Sequence, residues 1–200
     1  MFTIWCLHGL WLLSAAAAIV IASLGILWSH GETPHSLGLT FPQFASAVGT
    51  WKWWLAAALF ATAILAGRQL LSINTVIRGG KYLVWCCFQQ FLYQNIVYKG
   101  VRAKYGPRAL TRRVSGVIFA IIHLPNPILV PATLIWGTFS SRLFEQQRSI
   151  FALGLLQMLL SNLLLWITPI QYHHGFRIGP SYFVNSTVLI IDFFINMIFP

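Results

Sequence analysis

The polar side chains that could do chemistry in this chain are few and regularly spaced. Gln90 and Gln94 stand one helical turn apart with Gln89 beside them, Phe119 and His123 repeat that interval, and Gln157 and Ser161 repeat it again with Asn162 alongside. Residues four apart share a helix face. All three groups lie in apolar stretches, where a polar side chain is costly unless satisfied and so marks either a helix contact or a site. A general base needs a pKa near the working pH, which an amide lacks, so His123 is the one titratable candidate among these residues. Glutamine keeps one acceptor oxygen and two donor hydrogens, which suits a polar, uncharged centre.

The rest of the inventory excludes more than it offers. The chain has three acids, Glu32, Glu145 and Asp192, and none falls in a segment bearing these groups, so paired-carboxylate chemistry is not available there. Cys6, Cys86 and Cys87 all sit in apolar runs and read as small buried hydrophobes, without the spacing of a disulfide framework or a cysteine zinc site. His123 reads first as a histidine hydrogen-bonded to Gln90, Gln94 or Gln157; its other readings are a metal ligand, an axial ligand to a pigment or haem, and a catalytic remnant. His173 and His174 are adjacent in a loop and point in different directions, so no two-ligand site follows from them. His8, His30 and His35 read as interface residues. Asp192, the one acid inside an apolar run, calls for a basic or polar partner.

The elements that must position these groups follow from composition. Of 200 residues, 58% are hydrophobic and 8% charged, and the mean hydropathy is +0.73, whereas soluble domains carry about 25% charged residues. The expected class is therefore an all-α, polytopic transmembrane helix bundle, with roughly 20 apolar residues needed per span. Seven spans are expected: Ile4–Trp28, Trp51–Gly67, Lys81–Tyr98, Val114–Leu124, Ile128–Phe144, Ser149–Ile167 and Val184–Phe199. Glu32–Thr50, with Pro34 and Pro42, reads as an extramembrane loop, Arg68–Val76 as an amphipathic interfacial stretch, and Gly79–Gly80 as a break. Thirteen basic residues set the orientation, six of them between Lys99 and Arg113. With that segment cytoplasmic, alternation puts nine basic residues inside and four outside, the N-terminus outside and the C-terminus inside. The expected residence is a bacterial inner, or photosynthetic, membrane. The first run lacks a basic leader and is too long for a signal-peptide core, so it reads as a retained span. A formal charge of +10 then belongs to loops held against anionic headgroups and not to nucleic-acid binding.

The three motif groups also resemble those of the CPBP family of intramembrane metalloproteases, which includes CAAX prenyl proteases and bacteriocin-processing enzymes and is also called the Abi family. That family carries Glu-Glu-x-x-x-Arg, Phe-x-x-x-His and His-x-x-x-Asn/Asp on successive conserved helices. This chain reads Gln89-Gln90-Phe91-Leu92-Tyr93-Gln94, Phe119-Ala120-Ile121-Ile122-His123 and Gln157-Met158-Leu159-Leu160-Ser161. The intervals of 33 residues from Gln90 to His123 and 34 from His123 to Gln157 are similar to the family's. His123-Leu124-Pro125-Asn126-Pro127 resembles the text that follows its second motif, and Gly137 falls where a glycine is usual. The resemblance implies a four-helix core within three regions: residues 1–79 with the first two spans, 80–167 with the core spans, and 168–200 with a loop and the last span. Phe119 and His123 keep the family's identities; the other motif positions have lost their charges to Gln or Ser.

The expected function is thus a catalytically inactive CPBP-like membrane protein acting as a binding or structural subunit of a membrane complex. Its expected partners are the lipid bilayer and other membrane subunits, with no nucleic acid, no metal and no assigned cofactor. Two alternatives stand beside it. One is an active CAAX-type protease with a reassigned centre built on His123, Gln90 and Gln157. The other is pigment, haem or quinone binding between spans with His123 as ligand.

Overall fold

The computed structural model describes residues 10–67, 73–169, 172 and 174–182, and these residues form helices, turns and loops with no strand. Helix α1 spans Leu10–Ser29, α2 Phe41–Ala66 and α3 Ile73–Leu92. From α3 the rod continues through a π-helical segment, Tyr93–Tyr98, into α4, Lys99–Tyr105. Helices α5, Ala109–Ile121, α6, Leu129–Gln147, and α7, Ile150–Ile167, follow, and short 3-10 turns lie at His174–Phe176 and Gly179–Tyr182.

Each boundary has a local cause. Gly106, at φ +74°, closes α4 with its amide on Arg102 O at 2.8 Å, a positive-φ stop that glycine adopts without steric penalty. Pro125 and Pro127 lack backbone N–H groups and end α5. Asn126 Oδ1 then accepts from the amides of Ile128 and Leu129 at 3.1 and 3.0 Å, satisfying the start of α6. At α7 the Ser149 hydroxyl accepts from Ala152 N at 3.3 Å.

Helix α7 is the axis of the packing. Its Ile150, Leu153, Leu156 and Leu159 share one core with Trp51, Leu55 and Ala58 of α2, Phe91 of α3, and Leu143 and Phe144 of α6. Small residues allow the closest approaches. A Cβ on Gly154 would come within 3.0 Å of the Cys87 backbone on α3, and one on Gly137 within 3.0 Å of the Gly116 Cα on α5. The outward faces are apolar, with Trp53, Trp54, Phe60 and Ile64 of α2, Val84 of α3 and Ile135 of α6 all exposed. Phe41–Leu65 and Ile150–Ile167 are each long and apolar enough to cross a membrane.

Several expectations change. Helix α2 begins at Phe41, ten residues before the expected Trp51. Pro42 lies in its first turn, where a missing N–H costs nothing, and Gln43 Oε1 accepts from the Thr40 hydroxyl at 2.7 Å. Gly79–Gly80 does not break the chain, for α3 runs through both. Two glycines cost only about 1 kcal/mol each relative to alanine, less than a helix would lose by exposing backbone to hydrocarbon. Helix α5 starts at Ala109, within the basic segment. Most of the expected interfacial stretch after Arg68 and the whole seventh span, Val184–Phe199, lie outside the described residues, as does His173.

The loops sort to two ends. At one end Glu32 pairs with Lys99 at 2.8 Å, Arg112 with Glu145 at 2.9 Å, and Ser46 with Gln147 at 2.9 Å. At the other, Asn126 donates to Arg177 O at 3.0 Å and Gly179 N to Leu124 O at 2.8 Å.

Candidate functional site

Three helices bring the glutamines together. Gln90 Nε2 donates to Gln157 Oε1 at 2.6 Å, Gln157 Nε2 to Gln89 Oε1 at 2.7 Å, and Gln94 Nε2 to Gln90 Oε1 at 3.0 Å. Gln94 Nε2 also reaches Ser140 Oγ of α6 at 3.1 Å. The Trp136 indole donates to Gln157 Oε1 at 3.1 Å. An indole N–H can only donate, so it fixes which end of the Gln157 amide faces it. The remaining amides follow in one direction, from Gln94 through Gln90 and Gln157 to Gln89. Gln90 and Gln94 are fully buried.

A second layer holds the α3 rod against α5 and α6. The Tyr93 hydroxyl donates to Gly137 O at 2.8 Å and lies 3.0 Å from Ser141 Oγ. Its ring packs on Phe119 with centroids 4.6 Å apart, and Phe119 meets His123 edge to face at 4.8 Å. The π-helical winding explains how Tyr93, Gln94 and Asn95 are all buried, since its wider turn puts three successive side chains inside. Such segments occur often at functional positions. Gln94 Oε1 and Asn95 Oδ1 are buried acceptors with no hydrogen-bond partner among the described residues.

His123 is buried but stands apart from the amides. From the turn after α5, its Nδ1 lies 2.7 Å from the Phe119 carbonyl on that helix, so the expected bond to Gln90, Gln94 or Gln157 is absent. Those amides are engaged with one another and with Trp136 and Ser140, and the backbone one turn back supplies the imidazole's partner. Ser161 lies beside the Tyr82 hydroxyl and not in the glutamine chain. Thus Gln89, Gln90, Gln94 and Gln157 form one cluster, Phe119 and His123 a neighbouring aromatic pair, and Ser161 a separate contact. Trp136, Ser140 and Tyr93 join the centre without having been singled out. The signal for Ser140 is the small-residue face Gly137-x-x-Ser140-Ser141 inside an apolar helix.

The donor set is poor for a metal. Amide oxygens, hydroxyls and one imidazole are not the carboxylate, thiolate and imidazole groups that hold catalytic ions. Among the described residues no group of three His, Cys, Asp or Glu side chains could hold one. The cluster can bind by hydrogen bonds and cannot take up a proton near neutral pH.

A second cluster lies at the end of the rod. Glu32 accepts from Lys99 Nζ at 2.8 Å and from the Ser36 hydroxyl, while Lys99 also donates to Ser36 O at 3.0 Å. Burial alone would raise the Glu32 carboxyl, but these hydrogen bonds and the charges of Lys99 and Arg148 outweigh it and hold the pKa below its usual value. Glu145 accepts from the Tyr98 hydroxyl and from Arg112 at 2.9 Å, with Arg102 farther off at 3.9 Å. Glu32 and Glu145 thus sit where the sequence was read for basic residues alone.

The described residues form a helical bundle with apolar outward faces and a polar centre to which α3, α6 and α7 contribute. Residues 80–163 match the family model described as "Rce1-like: Type II CAAX prenyl endopeptidase Rce1-like", which bears out the resemblance carried by the three motifs. Two of the described helices, Phe41–Leu65 and Ile150–Ile167, are long and apolar enough to cross a membrane. No curated protein and no solved structure matches the chain.

Proposed function

We propose that this protein is a catalytically inactive Rce1-like membrane protein, acting as a binding or structural subunit of a membrane complex. The observation that carries the reading is the glutamine cluster. The positions corresponding to the family's first motif and to the histidine of its third are amides that satisfy one another, Gln90 to Gln157 at 2.6 Å and Gln157 to Gln89 at 2.7 Å. A base that activates water must accept a proton near neutral pH, and these groups do not. His123 is turned onto the Phe119 carbonyl, which leaves the amides without an imidazole partner. In this reading the cluster joins α3, α6 and α7 by hydrogen bonds, and the exposed aromatic faces of α2 and α6 meet lipid and neighbouring spans. The face bearing Lys99–Arg113 is cytoplasmic by the positive-inside bias, in seven spans of a bacterial inner or photosynthetic membrane.

Purification in mild detergent tests the subunit role. Co-purifying membrane proteins at fixed stoichiometry are expected, and a chain that always migrates alone would sink it. Cleavage of a prenylated CAAX peptide by the purified protein, lost on His123→Ala, would overturn the inactivity.

A further inference from the structure

The cluster at the end of the rod lines a half-open cavity of about 240 Å³ whose walls include Glu32, Lys99, Arg102, Phe144, Glu145 and Arg148. Both carboxylates of this cluster already have close partners. Glu32 holds Lys99, and Glu145 holds the Tyr98 hydroxyl and Arg112. Arg102 stands 3.9 Å from Glu145, behind the closer Arg112. Its side chain is 39% exposed. Arg148 is exposed, and among the described residues its guanidinium makes no hydrogen bond or ion pair. Four cations face two acids, and two exposed guanidiniums line one cavity: Arg102, which reaches Glu145 only at 3.9 Å and lies beside the Tyr98 hydroxyl, and Arg148.

Local backbone holds Arg148 in place. It occupies the left-handed region at φ 44°, an uncommon conformation for a residue with a side chain. The turn is clamped by Gly38, whose carbonyl accepts from Ile150 N at 3.0 Å and whose own close approach to the Arg148 carbonyl leaves no room for a Cβ. The membrane-crossing helix α7 begins at Ile150, two residues on. With α7 read as a span, the guanidinium lies at its end, where lipid headgroups would be, and the neighbouring Phe151 is exposed. Guanidinium groups bind phosphate oxygens in a fixed, often bidentate geometry.

We propose that this cavity is a specific site for the phosphate headgroup of an anionic membrane lipid, held by Arg102 and Arg148. The alternative is diffuse attraction of a basic surface to an anionic leaflet. The two differ in which arginines matter, for Arg113 and Arg142 are also exposed and basic but do not line the cavity. The proposal is independent of whether the protein cleaves anything.

The test is lipid retention by the full-length protein in mild detergent, read by native mass spectrometry after addition of phosphatidylglycerol, phosphatidic acid or phosphatidylcholine. One retained anionic lipid per chain is expected, with no comparable retention of phosphatidylcholine. Arg102→Gln and Arg148→Asn are each expected to weaken retention about fivefold, the usual weight of one basic residue at an anionic surface, and Arg113→Gln and Arg142→Gln to leave it unchanged. A parallel titration with glycerol 3-phosphate and inorganic phosphate separates the sources: weak competition fits a lipid site, whereas competition equal to the lipid's would reassign it to a soluble phosphate ester and overturn the proposal. Equal losses from all four substitutions, or none from the first two, would also overturn it. Arg148→Lys, which keeps the charge and loses the fork, is expected to retain partial binding. A melting temperature equal to that of the parent protein is the condition for reading any of these variants.

Discussion

Each amide in the glutamine chain has a fixed direction, so substitutions there have signed consequences. Gln90→Leu removes the Gln90–Gln157 and Gln94–Gln90 bonds, leaving Gln157 to Trp136 and Gln89 and Gln94 to Ser140, and is expected to lower stability by about 0.5–2 kcal/mol, the scale of a hydrogen bond between membrane helices. A thermal melt in detergent measures it. Gln90→Glu puts a carboxylate oxygen against Gln157 Oε1, where the structure has a donor. That variant should be less stable than the parent at neutral pH and should recover part of the loss as pH falls, because a protonated carboxyl can donate again. An unchanged gap between the two melts across that pH range would contradict the assigned direction. Gln89→Glu with Gln90→Glu is expected to yield no peptidase activity, since Gln94, Gln157 and Ser161 would still depart from the family's pattern. The grouping of Gln89, Gln90, Gln94 and Gln157 was legible from their four-residue spacing and similar intervals. Trp136 was not, for one indole among nine tryptophans carries no sign that its N–H faces inward.

Among the elements, the tightest contacts rest on glycines whose missing Cβ lets backbones meet. Gly137→Val would press on Gly116 and Tyr93, and Gly154→Val on Cys87. Overpacking of a filled interior costs about 1–3 kcal/mol, so both variants should melt earlier than the parent, while Gly79→Val, whose Cβ would meet open space, should not. Equal effects at all three positions would show that helix propensity and not packing is being measured. Gly154 was not legible in the sequence, because a small residue in an apolar run indicates close approach without naming the partner. The π-helical segment was invisible for a related reason. Its register depends on Leu37, Ser140 and Gly137 being in place to receive Asn95, Gln94 and Tyr93, contacts between elements far apart in the chain. The start of α2 was missed because prolines were read as loop punctuation, although Pro42 in a first turn is a helix signal.

For the whole molecule, the loop between α1 and α2 is structural. Its Glu32 ties the first hairpin to Lys99, more than sixty residues away, and its pKa is held below the ordinary value of 4.5. A carboxyl depressed in the folded state stabilises the fold above its unfolded pKa, and the contribution disappears as pH falls through the folded value. Acidification from neutral pH to about pH 3 should therefore lower the melting temperature of the parent more than that of Glu32→Gln, a comparison made by scanning both in one detergent. Parallel curves would remove Glu32 from the account. The division of loops between two ends was legible from charge and alternation, whereas their contacts with one another were not, since those arise only once helices of unequal length are packed. The glutamine chain has one more consequence at this scale. Polar groups aligned through the interior of a membrane protein can form a proton wire when each member passes on one proton as it accepts another. Carboxylates, imidazoles and waters do so, but a side-chain amide at neutral pH cannot exchange its roles as donor and acceptor without rotating, and Trp136 opposes that rotation. A centre of amides fixed in this way is polar without offering such a path to protons.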